Sequence, residues 1–220
     1  MILLDLDGTL VDTVPDLAYA VDFMMEKLGL PVWGEEQVRR WIGNGAERLV
    51  RRALTGSDDG EPDEALFGQA YPLFLEAYQA HVCHLSRPYP GVLAGLDMLL
   101  QAGYPLGCVT NKPARFTEPV LVKLGLKRYF QITISGDTLA KKKPDPAPLL
   151  HAADFFATPP MQSLMVGDSI NDVQAARAAC FLIVCVSYGY NHGLDIRDAS
   201  PDAVIDSLEQ LPQLLPAQAF

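Results

Sequence analysis

Residues 1–4 form a short apolar run that leads straight into Asp5-Leu6-Asp7-Gly8-Thr9-Leu10-Val11-Asp12. Such a run reads as a buried strand, and two carboxylates two residues apart on extended backbone point the same way. At a strand end, such a pair can hold one divalent cation and present one oxygen as a nucleophile. Gly8-Thr9 lets the chain turn away sharply and leaves backbone N–H groups free for an anion. Alone the string is only suggestive, and its meaning rests on the segments that accompany it.

The rest of the chain alternates. Apolar strand-like runs occupy residues 105–110, 131–135, 163–167 and 182–187, with a weaker one at 203–205. Helical patterns lie between the later runs, at 113–124, 147–156 and 171–179. Strand–helix–strand order predicts an α/β fold with a doubly wound, mainly parallel, Rossmann-like sheet. In such sheets the site lies beyond the carboxyl ends of the strands. Asp5, Thr110 and Asp168 each fall at such an end, so three segments far apart in sequence are expected to converge.

Residues 14–86 break the alternation and read as all-helical. Leu17, Val21, Met24 and Leu28 recur at helical spacing, and Gly29 supplies a stop. Trp41, Leu49, Ala53 and Leu54 predict a second helical region and residues 65–82 a long third one, with a Gly- and Asp-rich loop at 55–63. We therefore expect a catalytic core of residues 1–13 and 87–220 with a helical cap, 14–86, inserted on hinges near 13–14 and 87–91.

Charge and composition narrow the possible partners. With 220 residues, 49% of them hydrophobic, the chain is long enough for a sizeable core. A net charge of −10 disfavours nucleic acid and anionic lipid as partners. Cys83, Cys108, Cys180 and Cys185 form no CxxC pair. No stretch reads as a signal or a membrane span, so a reduced, cytoplasmic protein is expected. Nothing in the sequence decides between monomer and dimer.

Four segments carry chemistry: Asp5 to Asp12; Thr110-Asn111-Lys112; Lys141-Lys142-Lys143-Pro144; and Gly167-Asp168-Ser169-Ile170-Asn171-Asp172. The Thr110 hydroxyl and the N–H after it can bind phosphate oxygens. Lys143, singled out by Pro144, is a positioned cation that offsets the charge of a phosphate and of a nucleophile. Asp168 completes an oxygen shell of the kind Mg²⁺ prefers. Asp172, one helical turn on, either touches the metal or acts through water or a hydrogen bond. Asn111 either orients nucleophile or substrate or shapes its loop. Together these parts fit phosphoryl transfer, which needs an in-line nucleophile, neutralised equatorial oxygens and a proton for the leaving group. Asp5 is the candidate nucleophile and Asp7 the candidate general acid and base.

In this order the four segments resemble the haloacid dehalogenase superfamily of aspartate-nucleophile phosphatases, over almost the whole chain. The resemblance implies a helical cap after the first motif. It also implies Mg²⁺ held by the side chains of Asp5 and Asp168 and by the backbone carbonyl of Asp7. Trp41-Ile42-Gly43-Asn44-Gly45-Ala46, Tyr89-Pro90-Gly91-Val92, Thr110-Asn111-Lys112-Pro113 and Ser187-Tyr188-Gly189-Tyr190-Asn191 look like the bacterial phosphoglycolate phosphatases within it. That narrower resemblance implies 2-phosphoglycolate, a small phosphate ester bearing a carboxylate. Gly43-Asn44-Gly45, opening a helix, is a candidate carboxylate seat. The alternatives are a sugar-phosphate phosphatase, a hexose phosphomutase, which would carry an arginine where Ala46 stands, and a silent phosphate-binding regulator. The chain departs from the family at Cys180, where a helix-stopping glycine is usual.

Two further clusters are read mainly as structural. Arg39, Arg40, Arg48, Arg51 and Arg52 surround the Gly43–Gly45 loop and form a charged outer face, with Arg48 the candidate to meet substrate. His81, Cys83 and His84 lack a fourth ligand nearby, which disfavours zinc.

Overall fold

The computed structural model describes residues 1–215; residues 216–220, the end of the stretch assigned to the core, lie outside the described residues. The chain runs β1 (Ile2–Leu4), β2 (Val11–Asp12), α1 (Val14–Lys27), α2 (Gly34–Trp41), α3 (Ala46–Thr55), α4 (Glu64–His81), β3 (Arg87–Pro88) and α5 (Val92–Gln101). It continues through β4 (Leu106–Val109), α6 (Ala114–Lys123), β5 (Ile132–Ile134), α7 (Ala147–Phe155), β6 (Leu164–Gly167), α8 (Ile170–Ala178), β7 (Leu182–Val186), β8 (Ala203–Ile205) and α9 (Leu211–Leu214).

Six of the strands form one parallel sheet in the order β5-β4-β1-β6-β7-β8. β1 has only three residues, yet it is central, with Leu4 opposite Cys108 on one side and Val166 on the other. Its alternation shows how the sheet is covered. Ile2 and Leu4 join a core with α5 and α6 residues such as Leu96, Leu99, Phe116 and Val120. Leu3 faces the opposite core with Leu149, Ala152 and Ala176 of α7 and α8. Side chains that alternate faces and are buried on both demand helices on both sides.

The helical segment leaves and re-enters through a two-stranded antiparallel ribbon, β2 on β3, with Val11 opposite Pro88. Asp16, buried at the start of α1, accepts hydrogen bonds from the Leu85 and Ser86 N–H groups at 2.9 and 2.8 Å and so ties the departing chain to the returning one. The second helical region predicted from Trp41 to Leu54 is two helices, α2 and α3. They are split at residues 42–45, where Gly45 at φ 90° takes a conformation that L side chains rarely adopt. Charged α2 left only Val38 and Trp41 as a buried signal, too few for periodicity to register. The short ribbon and α5 went unpredicted.

Cys180 follows the C-cap of α8 and takes the left-handed conformation, φ 60°, that a glycine adopts freely. The departure noted in sequence therefore leaves the turn in place and puts a side chain in a strained backbone. Among the described residues no helix is long and apolar enough to cross a membrane.

Candidate active site

Asp5 leaves the end of β1 with its backbone N–H on Val166 O at 2.9 Å. Its Oδ1 accepts from the Leu6 N–H at 2.7 Å and lies 2.9 Å from Lys143 Nζ. Lys143 is 2% exposed and completes its shell on Asp172 Oδ1 at 2.7 Å and Val109 O at 2.8 Å. Burial works against that ammonium, but Asp172 and then Asp5 more than reverse it and hold its pKa above the usual range. Lys143 is therefore a fixed charge wedged between two acids.

Asp168 follows β6. Its Oδ1 accepts from the Thr9 hydroxyl at 2.7 Å and its Oδ2 from the Tyr190 N–H at 2.9 Å. Asp172 closes a capping box at the start of α8, where its Oδ2 accepts from the Ser169 N–H at 3.1 Å and hydroxyl at 2.8 Å. Asp172 is thus a helix cap and a Lys143 partner, and it also stands in the acidic cluster. Oxygens of Asp5, Asp168 and Asp172 lie within 4.8 Å of one another, the one such cluster of potential metal ligands among the described residues. The His81, Cys83 and His84 string does not form another; the two histidine rings pack 5.1 Å apart.

The electrostatics of the cluster call for a cation. Burial, only partly countered by Lys143, pushes Asp5 up to about 7. Burial, with Asp172 and Asp5 nearby, raises Asp168 as well. Three crowded oxygen donors with a charge deficit suit a hard divalent ion. The packing leaves Asp168 little freedom, since a Cβ on Gly8, at φ +88°, would collide with its carboxylate. Gly8→Ala is expected to cost about 2 kcal/mol, from backbone strain together with displacement of Asp168. Urea melts and a Mg²⁺ titration would check this, and wild-type values in both would refute it.

Asp7 lines a cleft together with Asp5. Its oxygens accept from Lys112 Nζ, both at 3.0 Å, and from the Thr13 hydroxyl at 2.8 Å. Thr110, at the end of β4, lines the same cleft. Asn111 spans several parts: its Nδ2 donates to Gly43 O at 2.9 Å and to Lys143 O at 2.8 Å. Lys142, read as a surface lysine, is exposed but donates to Asn44 O at 2.9 Å. Asn44 also reaches Asn171, at 3.4 Å. Gly43, Gly45 and Ala46 line the same cleft as Asp5 and Asp7, so the helical segment forms part of its wall.

None of the five arginines lines this cleft. Arg48 and Arg51 pair with Glu61, at 2.6 and 3.0 Å, on an exposed face. Arg52 donates to Trp41 O at 2.6 Å, Arg39 pairs with Asp12 at 3.2 Å and Arg40 with Glu36 at 3.3 Å. Sequence reasoning gave no role of their own to Lys112, Thr13, Tyr78 and Tyr190, although it quoted Lys112 and Tyr190 within its motifs. The signal for Lys112 was its place directly after Thr110-Asn111, at the end of an apolar strand.

A family model described as haloacid dehalogenase-like hydrolase matches residues 2–186. The chain belongs to the haloacid dehalogenase-like hydrolases. Among the relatives of this hydrolase is a protein of Nitrosococcus oceani named phosphoglycolate phosphatase, 59% identical over 98% of this chain and 96% of that one. A Thiobacillus denitrificans protein of the same name is 49% identical over 95% and 92%. The crystal structure of a predicted phosphoglycolate phosphatase from Haemophilus somnus superposes with TM-score 0.92 at 36% identity, covering 97% of this chain and 96% of that one. The hydrolase is thus a phosphatase-type member of the family, with the expected α/β architecture.

Proposed function

We propose that the protein hydrolyses 2-phosphoglycolate, with Mg²⁺ bound and through an aspartyl-phosphate on Asp5. The observation that carries the reading is the pairing of two acids of different surroundings on one strand end. Asp5 is locked to Lys143 at 2.9 Å, and Asp7 faces a cleft closed by Gly43, Gly45 and Ala46. The 59% identity to a protein named phosphoglycolate phosphatase supports the substrate.

Asp5 attacks phosphorus, its new P–O bond forming as the bond to the glycolate oxygen breaks. Asp7 delivers its proton to that leaving oxygen, and as a carboxylate it then takes one from the water that attacks the phosphoaspartate. Hydrolysis frees inorganic phosphate and restores Asp5. Lys143 and the Thr110 hydroxyl offset and orient the phosphoryl oxygens throughout. Asp5, Asp168 and the backbone carbonyl of Asp7 would hold Mg²⁺, with Asp172 acting on Asp168 and Lys143; the bound ion supplies positive charge for the developing phosphoryl oxygens. The helical segment, residues 14–86, acts as a cap that excludes bulk water. Ala46 puts a methyl group where a phosphomutase would need an arginine, which speaks against a second phosphate.

Phosphate release from 2-phosphoglycolate, glucose 1-phosphate, glucose 6-phosphate and a nucleoside monophosphate tests the reading. The expected kcat/KM for 2-phosphoglycolate exceeds the others by about 100-fold or more, as for a site built around a charged substrate group. EDTA should abolish all release. A sugar phosphate ahead of the rest would keep the chemistry and discard the substrate.

A further inference from the structure

One charge of the proposed substrate, its carboxylate, has a candidate backbone seat at Gly43–Gly45 but still lacks a cation. The arginines that could have met it are committed elsewhere. Among the described residues lining the cleft, Lys112 is the one cation. It is buried, with a side chain 3% exposed, and its Nζ lies 3.0 Å from both Asp7 oxygens. An ammonium carries three donors, so after Asp7 is satisfied one is left on the side of Tyr78, where the two side chains interact. That Nζ also lies over the ring of Tyr78, 4.9 Å from its centroid.

Tyr78 comes from α4 of the helical segment and lines the same cleft. It is 1% exposed, and its buried hydroxyl lies against Lys112 without a well-aligned hydrogen bond and with no acceptor for its own proton. An ammonium can only donate, so the buried Tyr78 O–H still lacks an acceptor; that is costly, and a ligand acceptor removes the cost. Burial, against the pull of Lys112, raises its pKa to about 12, so it stays a donor.

We propose that Lys112 and Tyr78 together seat the carboxylate of the substrate, a core cation and a cap hydroxyl converging on one anionic group. The inference rests on the proposed 2-phosphoglycolate chemistry. Asp7 must stand beside the leaving oxygen to protonate it. In glycolate one methylene separates that oxygen from the carboxylate, so a cation in contact with Asp7 is within reach of the carboxylate. The N-terminus of α3, with Gly45 and Ala46 in the wall, adds backbone donors. The rest of the wall is apolar, including Leu17, Ile42, Leu49 and Phe116. A sugar hydroxyl there would lose water without gaining a partner. Because Lys112 belongs to the core and Tyr78 to the helical segment, the seat is complete only when the two are docked. Recognition of the carboxylate is thereby tied to closure.

The test compares 2-phosphoglycolate with ethyl phosphate, which is of similar size and lacks the carboxylate, in the full-length Mg²⁺-loaded protein. The wild type should prefer 2-phosphoglycolate. Lys112→Met should collapse the ratio of kcat/KM values by about 100-fold, since a buried site that has lost its charged partner discriminates poorly. Tyr78→Phe should reduce the ratio by about fivefold, the scale of one hydrogen bond, mostly through KM. Equal loss on both esters in Lys112→Met would mean that Lys112 acts through Asp7 alone, and would overturn the seat. If Lys112→Met fails to fold, the Tyr78→Phe ratio decides, and an unchanged ratio there overturns the proposal. A wild type with no preference for 2-phosphoglycolate discards the substrate reading itself, and that outcome is distinct from either variant result.

Discussion

Asp5→Asn is expected to lower kcat on the order of 10⁴-fold or more while the protein stays folded, the signature of a lost nucleophile. The amide cannot form the acyl phosphate, and no other acid replaces it. Asp7 is held by Lys112 and Thr13, Asp168 is held by Thr9 and Tyr190, and Asp172 is consumed by its capping box and Lys143. The fold should tolerate the change for a specific reason. Burial lifts Asp5 to about 7, so at pH 8 its ionised form is a liability to the metal-free protein. Replacing it by a neutral isostere leaves Lys143 still paired with Asp172 at 2.7 Å. The melting midpoint in EDTA at pH 8 should therefore hold or rise by about 2–4 °C, the size of 1 kcal/mol in a chain of this length. Phosphate release and a thermal melt on one preparation would check both halves. Turnover within tenfold of wild type would sink the nucleophile assignment.

Most of the residues in that constellation were marked in the sequence. Asp5, Thr110 and Asp168 end apolar runs, and a run of four or five buried residues is strong evidence of a strand in a sheet covered on both faces. Once the strands are parallel, their carboxyl ends share one edge, and the meeting of the three residues is a consequence of topology alone. Lys143 was marked by its neighbour Pro144, and it proves to be the buried lysine of the run, while Lys141 and Lys142 are exposed.

The helical segment was legible in outline but not in its contacts. Arg48 and Lys112 show why. Both are cations near a turn marked in the sequence, and spacing alone cannot say which one points inward. An acidic loop holds Arg48 outside, through Glu61 and Asp59 at 2.6 and 3.3 Å. Lys112 is drawn inside by Asp7, a residue 105 positions away. Pairings at that range depend on how two segments dock, and no local pattern encodes docking. The same holds for Asn111, whose ties to Gly43 and Lys143 join three parts of the chain. Asp172 illustrates a different gap. Its position one turn after Asp168 fits a metal ligand and a capping acid equally, and the structure shows the capping box together with membership of the acidic cluster.

Lys143→Met should be the most damaging single change to both activity and stability. The ammonium is 2% exposed and contacts Asp5, Asp172 and Val109 O at 2.9, 2.7 and 2.8 Å. Removing one partner of a buried ionic set strands the others, which typically costs about 3–5 kcal/mol. Three acids that already lie within 4.8 Å of one another would then share no internal cation. The pH dependence of the deficit is set by the direction of the shifts. Asp5 and Asp168 titrate higher in the folded protein than in the unfolded chain, so in that range the native state binds more protons. Stability contributed by such groups is present at low pH and declines as pH rises towards the folded values. Without Lys143, which now pulls Asp5 down, the decline should be steeper. The variant should therefore lie closer to wild type at pH 5.5 than at pH 8. A divalent cation supplies the missing charge from the other side of the cluster. Millimolar Mg²⁺ should thus recover part of the lost stability at pH 8, by mass action on the folded state, but no activity, given the role proposed above for Lys143 on the phosphoryl oxygens. Urea melts at both pH values, with and without Mg²⁺, would read this directly. A deficit independent of both pH and Mg²⁺ would mean that the lysine matters for packing alone and that the three carboxylates do not behave as one electrostatic unit.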